Sequence, residues 1–145
     1  MRYRKLCCLS ATLLTAILLT ACASSTRKDT LFDDLGGMDG ITKTTERLLD
    51  YFAADSRIRP FFAHTDVNRF KTRFSEHICE ITGGPCHYKG DSMENVHRGM
   101  VISEGQFNAV VEAYIHAMTE RGIPVSVQNR LLARLAPMRE DIIHK

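Results

Sequence analysis

The spacing of apolar residues along two long segments, residues 67–81 and 107–118, limits the fold of this chain more than any other feature. In both segments apolar side chains recur at three- and four-residue steps, which places them on one face of an α-helix. Thr65 or Asp66 is suited to cap the start of the first segment. Since no segment alternates apolar and polar residues for long enough to form a strand, the sequence predicts an all-α fold.

Turn and capping residues mark further helix ends. Gly36-Gly37 interrupts the chain before an apolar set that continues to Phe52. Ser103 is followed three positions later by Gln106, the pattern of a capping box at the start of the 107–118 helix. Beyond Pro124 one last helix is expected, with an apolar face that spans residues 131–142.

The N-terminal segment has the pattern of a secretory signal: basic residues first, then an apolar run from Leu9 to Ala21 with small residues at its end. A membrane-spanning helix needs roughly 20 apolar residues, more than this run contains. The run ends in Leu-Thr-Ala-Cys, residues 19–22, which resembles the lipobox of bacterial lipoproteins. That resemblance implies that Cys22 is acylated and becomes the first residue after cleavage; an ordinary signal with an incidental cysteine is the alternative.

Cleavage at this point predicts three parts: a lipoprotein signal peptide over residues 1–21, a lipidated polar tether over residues 22–30, and a folded domain over residues 31–145. Several acyl chains hold a protein firmly on a membrane. Ala23 rather than Asp follows the cysteine, which by analogy with lipoprotein sorting in Gram-negative bacteria favours the outer membrane. We therefore expect a domain that is anchored to the bacterial cell envelope and faces the periplasm.

The charge of the processed chain is close to neutral. Three of the 19 basic residues lie in the signal, which leaves 16 against 17 acidic residues. No basic stripe with interleaved aromatic residues is present, so nucleic acid is not an expected partner.

Cys79 and Cys86 are the two cysteines left to the folded domain, because the others leave with the signal or, at Cys22, carry lipid. The residues between them include two glycines and allow the chain to fold back to disulfide distance, and an oxidising compartment favours the bond. Free thiols are an alternative. So is a zinc site that adds His77 and His87, although the 77–79 spacing is tight for one tetrahedral metal.

Residues 81–100 form an irregular segment, ITGGPCHYKGDSMENVHRGM, that is rich in glycine and contains one faint helical turn. Loops of this length within a compact domain are usually functional or disordered. The apolar Tyr88, Met93 and Val96 argue against disorder. The segment therefore predicts an ordered loop that carries His97 over an apolar helix bundle, as a cofactor bracket would.

Over residues 31–143 the chain resembles the truncated haemoglobins of the first group. Several landmarks stand in the family's order and at family-like intervals: Gly36-Gly37, Phe61-Phe62, Gly83-Gly84-Pro85, Tyr88, Gly90, Met93, His97 and Phe107. The resemblance implies a two-over-two helical sandwich around haem b.

The same resemblance assigns His97 the role of proximal iron ligand, a role that neutral imidazole suits. Four other histidines lie in polar turns, on a mixed helix face or near the chain's end, and we interpret them as surface residues. These are His64, His87, His116 and His144.

The resemblance also implies a haem pocket. Phe62 is expected at the haem edge, and Phe70 and Phe74 over the iron on its distal side. Arg69 and Tyr88 are expected to donate hydrogen bonds to the propionates. The remaining contacts fall on apolar residues that would also suit plain core packing: Met93, Val96, Ile102, Phe107, Val110 and Leu135.

The distal side departs from the family's usual pattern. Leu49 stands where the family often has tyrosine, and Phe74 stands where glutamine is common. Tyr51, two residues further, lies on nearly the opposite side of its helix. His77 follows Phe74 by three residues and could lean toward the distal side; a structural histidine at the rim is the alternative. With few distal donors, we expect O₂ to be released quickly.

Two functions remain open on the sequence alone. One is an envelope haem protein that binds O₂, NO or CO at pentacoordinate or weakly hexacoordinate iron. Such a protein could detoxify NO or carry out redox chemistry with an unidentified reductase. The other is a globin-like lipoprotein without haem that has a structural or interaction role. An absorption spectrum of the wild type and of His97→Ala would separate the two.

Overall fold

The computed structural model describes residues 30–145, so the predicted signal peptide and Cys22 lie outside the described residues. Over this range an isolated bridge between Ile102 and Ile143 is the only β pairing, and the all-α prediction is confirmed. None of these helices is long and apolar enough to cross a bilayer. The helices are α1 (Leu31–Asp34), α2 (Gly37–Ala54), α3 (Val67–Ile81), α4 (Met93–His97), α5 (Glu104–Glu120) and α6 (Val125–Leu135), with 3-10 helices at Arg59–Phe62 and Ala136–Asp141.

Helix α2 forms the centre of the core, because it packs against both α3 and α5. Its Leu48 is fully buried, and so is Ile78 on α3. Polar groups at this contact are satisfied: the Thr45 hydroxyl donates to the Ile41 carbonyl at 2.9 Å, and the Ser75 hydroxyl donates to the Thr45 oxygen at 3.2 Å. Apolar burial and internal hydrogen bonds therefore fix α3 on α2.

The break between α1 and α2 depends on glycine. Gly36 has φ 84°, a left-handed conformation that side chains disfavour. At Gly40 an added Cβ would lie 2.1 Å from the Leu35 carbonyl oxygen, so the backbones could not approach this closely with another residue. The predicted interruption at Gly36-Gly37 is confirmed.

Both predicted capping sites are present. Asp66 caps α3 and accepts hydrogen bonds from the amides of Asn68 and Arg69, each at 3.0 Å. Ser103 and Gln106 form the capping box that starts α5. Helix bounds therefore follow from local chemistry at these two places.

The last predicted helix is shorter than expected. The apolar face over 131–142 predicts a continuous α-helix, but α6 ends at Leu135 and a 3-10 helix follows. Pro137 lacks an N–H and its ring clashes with the preceding turn of an α-helix, which explains the change.

The final residues return to the segment that follows α4. The His144 amide donates to the Ile102 carbonyl at 3.0 Å, and the amides of Gly99 and Val101 donate to the Lys145 carbonyl at 3.0 and 3.2 Å. Val101 has φ 50°, an unfavourable conformation for a β-branched residue. The tail thus holds the chain directly behind His97.

Candidate functional site

His97 is the last residue of α4 and is half-buried. Ser92 caps this short helix by accepting a hydrogen bond from the Asn95 amide at 3.3 Å. The His97 Nδ1 lies 2.7 Å from the Met93 carbonyl oxygen. Since a carbonyl only accepts hydrogen bonds, Nδ1 carries a proton, and in the neutral ring this leaves the lone pair on Nε2. A backbone carbonyl that fixes the imidazole in this way is typical of metal-ligating histidine.

A row of aromatic rings runs from α2, through the 3-10 helix at Arg59–Phe62 and α3, to α5. Centroid distances along it are 4.9 Å from Phe52 to Phe62, 5.1 Å from Phe62 to Phe70, 5.4 Å from Phe70 to Phe74, and 5.6 Å from Phe74 to Tyr114. The two end members are buried, whereas the three phenylalanines between them are only partly covered. The structure therefore brings together the three residues predicted at the haem edge and over the iron.

Incomplete burial is what the predicted apolar contacts share. Val96 is 37% exposed, and nine others are partly buried: Leu49, Phe62, Phe70, Phe74, Met93, Ile102, Phe107, Val110 and Leu135. Apolar side chains in this state favour an apolar group that would remove them from water. With a lone pair at His97 Nε2, these residues fit haem, a flat apolar ring whose iron takes an imidazole ligand.

His77 and Tyr88 pack together at the edge of α3, with ring centroids 4.9 Å apart. Burial lowers the pKa of His77, and the nearby Glu80 carboxylate opposes that shift in part. The imidazole is therefore neutral at pH 7. The Tyr88 hydroxyl donates to the Asp91 carbonyl at 3.0 Å, so its one hydrogen is already engaged. Arg69 is exposed, and its side chain forms no hydrogen bond or ion pair with another residue in 30–145.

Cys79 and Cys86 form a disulfide with a Cα–Cα distance of 5.8 Å. The bond ties the segment that carries Tyr88 to the end of α3. At Gly84 an added Cβ would lie 2.6 Å from the Cys79 sulfur, so the bend requires glycine. The zinc alternative is wrong because both sulfurs are bonded to each other, and no cluster of three metal-ligating side chains occurs among the described residues.

Tyr51 faces away from the aromatic row, as the sequence predicts. Its hydroxyl donates to Glu120, and its ring stacks on His116 with centroids 5.6 Å apart. Hydrogen bonds from Arg47 and Tyr51 lower the pKa of Glu120 to about 2. Tyr51 also lines a surface cleft of about 480 Å³ that includes Glu112 and none of the residues predicted to contact haem.

Tyr114 is the functional candidate that the sequence did not single out. It occurs in the apolar stripe of α5, where its ring suits core packing, and the structure buries it to 4% exposure. Burial raises the pKa of its hydroxyl. The sequence offers one signal for this residue, namely that its hydroxyl occurs among the hydrocarbon side chains of the α5 stripe.

Comparisons with known proteins agree with this geometry. The family model for bacterial-like globins matches residues 30–144. The chain is 30% identical over 112 residues to the group 1 truncated haemoglobin GlbN of Mycolicibacterium paratuberculosis, covering 77% of this chain and 82% of that protein. It is 27% identical over 119 residues to the group 1 truncated haemoglobin of Tetrahymena pyriformis, covering 82% of this chain and 98% of that protein.

Solved structures show the same architecture. The Fe(III) form of the truncated haemoglobin from Tetrahymena pyriformis superposes with a TM-score of 0.78 at 27% identity, covering 81% of this chain and all of that one. The 2/2 haemoglobin from Synechococcus, in the cyanomet state, superposes with a TM-score of 0.75 at 21% identity, covering 79% and 98%. The second likeness supports the fold alone.

Proposed function

Because this chain belongs to the bacterial-like globin family, and within it to the group 1 truncated haemoglobins, we propose that it binds haem b through His97 and a diatomic gas on the opposite side. The observation that carries this proposal is the 2.7 Å contact between His97 Nδ1 and the Met93 carbonyl, which directs the lone pair to Nε2. Haem supplies the iron at which a gas molecule binds.

The chain's own residues would hold and shield that group. His97 would keep its proton on Nδ1, and the Met93 carbonyl would orient the ring. Phe62, Phe70 and Phe74 would exclude water from the distal side. Arg69, exposed and without a protein partner in the described range, is suited to a propionate.

An absorption spectrum of the purified mature protein tests this function. We expect a Soret band in the wild type and its loss or a large shift in His97→Ala. His116→Ala is the matched control, because His116 is exposed and stacks on Tyr51 rather than on the proposed site. A colourless, folded wild type that takes up no added haem would favour the haem-free alternative.

We further propose that the protein is a lipid-anchored component of the bacterial envelope, on the outer membrane and facing the periplasm. The lipobox-like sequence that ends at Cys22 supports this localisation. The disulfide between Cys79 and Cys86 adds support, because such bonds persist in oxidising compartments.

Fractionation of cells tests the anchor. Cys22→Ser is expected to move the protein from the membrane to the soluble fraction, since the acyl chains would have no attachment point. Cys7→Ser removes a cysteine within the predicted signal and should leave the protein on the membrane. Membrane sedimentation of Cys22→Ser would contradict the proposal.

A further inference from the structure

The Tyr114 hydroxyl is a buried polar group that forms no hydrogen bond within residues 30–145, although its residue is only 4% exposed. In the same range, no fully enclosed side-chain nitrogen or oxygen lacks a partner. The Tyr114 oxygen is therefore not fully enclosed and borders a space that a water molecule can reach. A buried hydroxyl left without a partner is costly, so a group that accepts its hydrogen would be bound favourably.

The other described tyrosines differ in this respect. The Tyr51 hydroxyl donates to Glu120 at the surface, and the Tyr88 hydroxyl donates to the Asp91 carbonyl. Of these three tyrosines, Tyr114 is the one whose hydroxyl donates no hydrogen bond to another group in residues 30–145.

The position of Tyr114 directs it toward the proposed gas site. It follows Phe107 and Val110 at three- and four-residue steps and so shares their face of α5. Its ring meets the edge of Phe74 at 5.6 Å, and Phe74 stacks on Phe70. All four neighbours are residues predicted to line the haem pocket.

The surface cleft on α5 does not account for the hydroxyl. The α5 residues that line that cleft are Ala109, Glu112, Ala113 and His116, and of these Glu112 and His116 lie on nearly the opposite side of the helix from Tyr114. Tyr114 is not among its lining residues. The Tyr114 ring instead meets Phe74, so Tyr114 lies on the side of α5 that faces α3.

We propose that Tyr114 is the distal hydrogen-bond donor of this protein, acting on the bound diatomic gas directly or through one water molecule. This inference rests on the proposed haem function. Leu49 and Phe74 are hydrocarbon side chains and cannot donate a hydrogen bond to the gas. Tyr114 would donate that hydrogen bond from α5 instead. Bound O₂ accepts such a bond strongly because it carries partial negative charge, whereas CO accepts it weakly. The protein would then retain O₂ longer than its hydrocarbon lining predicts.

Tyr114→Phe in the haem-loaded mature protein tests the proposal, because it removes one oxygen and keeps the ring. A hydrogen bond to a charged group is worth about 1.5–3 kcal/mol, so O₂ release should become roughly ten- to a hundredfold faster. The C–O stretching frequency of the CO complex should rise, since a positive hydrogen no longer faces the ligand. Tyr51→Phe, which loses a hydroxyl bonded to Glu120, is the matched control and should change neither value.

Each outcome separates this proposal from the proposed function. A haem-loaded Tyr114→Phe with wild-type O₂ release and CO stretching frequency would overturn the proposal and leave haem binding intact. A large drop in thermal midpoint of the CO complex would also overturn it, because the hydroxyl would then have a structural partner. If His77→Ala speeds O₂ release and Tyr114→Phe does not, His77 is the donor instead. A wild type that takes up no haem removes both proposals together.

Discussion

The two sides of the proposed haem site are built in different ways. The distal wall, which comprises α3, α2 packed against it and α5 packed against α2, contains fully buried side chains such as Leu48, Ile78 and Met118. The proximal segment, residues 92–102 with α4 and His97, contains no buried side chain. Instead it is held by one helix cap and by backbone hydrogen bonds to the C-terminal residues.

This difference separates two kinds of stability. A wall built by apolar burial unfolds only when the domain unfolds, whereas a segment held by a few hydrogen bonds can open locally. We infer that the distal wall keeps its shape without haem and that haem contributes to ordering the proximal segment. The iron ligand would then lie on the more mobile side.

The largest expected effect comes from breaking the distal wall. Leu48→Ala removes a fully buried side chain from α2 and should lower the free energy of unfolding by about 2–5 kcal/mol. Urea unfolding followed by circular dichroism measures this change. Val125→Ala, at a position that is 68% exposed, is the control and should have little effect. Equal midpoints for Leu48→Ala and the wild type would contradict the assignment of Leu48 to the core.

A smaller effect is expected where the distal wall meets the loop that carries Tyr88. Replacing Cys79 and Cys86 with serine opens the disulfide, which should cost about 2–3 kcal/mol in the chain-entropy model for a loop this short. Urea unfolding of the oxidised wild type and of the double variant gives the difference. Mass measurement after alkylation should show both cysteines of the protein, isolated without reductant, protected until reductant is added. Full alkylation without reductant would rule out the bond.

The same contrast explains what could be predicted from the sequence. The bounds of α3 and the start of α5 follow from local signals, namely apolar spacing and the capping residues Asp66 and Ser103. Helix α4 is predicted only as a faint turn, because apart from its Ser92 cap the support comes from backbone bonds between the residues that follow it and Lys145, far along the chain. Tyr114 could not be singled out either, because whether a hydroxyl in an apolar stripe finds a partner depends on tertiary contacts.

Two matched serine caps sharpen the comparison. Ser92 and Ser103 each accept a hydrogen bond at 3.3 Å from the amide three residues on, the first at α4 and the second at α5. Loss of either cap should reduce the stability of its helix by about 1 kcal/mol. Ser103→Ala should lower global stability, because α5 belongs to the core. Ser92→Ala should instead leave the urea midpoint nearly unchanged.

Hydrogen exchange distinguishes the two variants. In Ser92→Ala the amides of residues 96–97 should exchange about fivefold faster, since about 1 kcal/mol changes an opening equilibrium by that factor. Haem should also leave this variant faster than it leaves Ser103→Ala. If Ser92→Ala shifts global unfolding as much as Ser103→Ala does, the proximal segment is part of the cooperative core and the comparison fails.

The smallest effect at neutral pH concerns His77, which lies on the distal wall but contacts the loop through Tyr88. Burial lowers the pKa of its imidazole below the usual 6.5, so the unfolded chain takes up the proton first as pH falls. The stability that the neutral ring contributes is therefore present above pH 6.5 and is lost as the pH falls through the lower pKa of the folded protein.

His77→Leu removes this titration, so the urea midpoint of the haem-free wild type should fall more steeply below pH 6.5 than that of the variant. His64→Leu, at an exposed position, should keep the wild-type slope. If the urea midpoints of His77→Leu and the wild type fall in parallel with pH, water reaches His77 in the folded protein. The region around His77 would then open locally, as the proximal segment does, and would not belong to the distal wall.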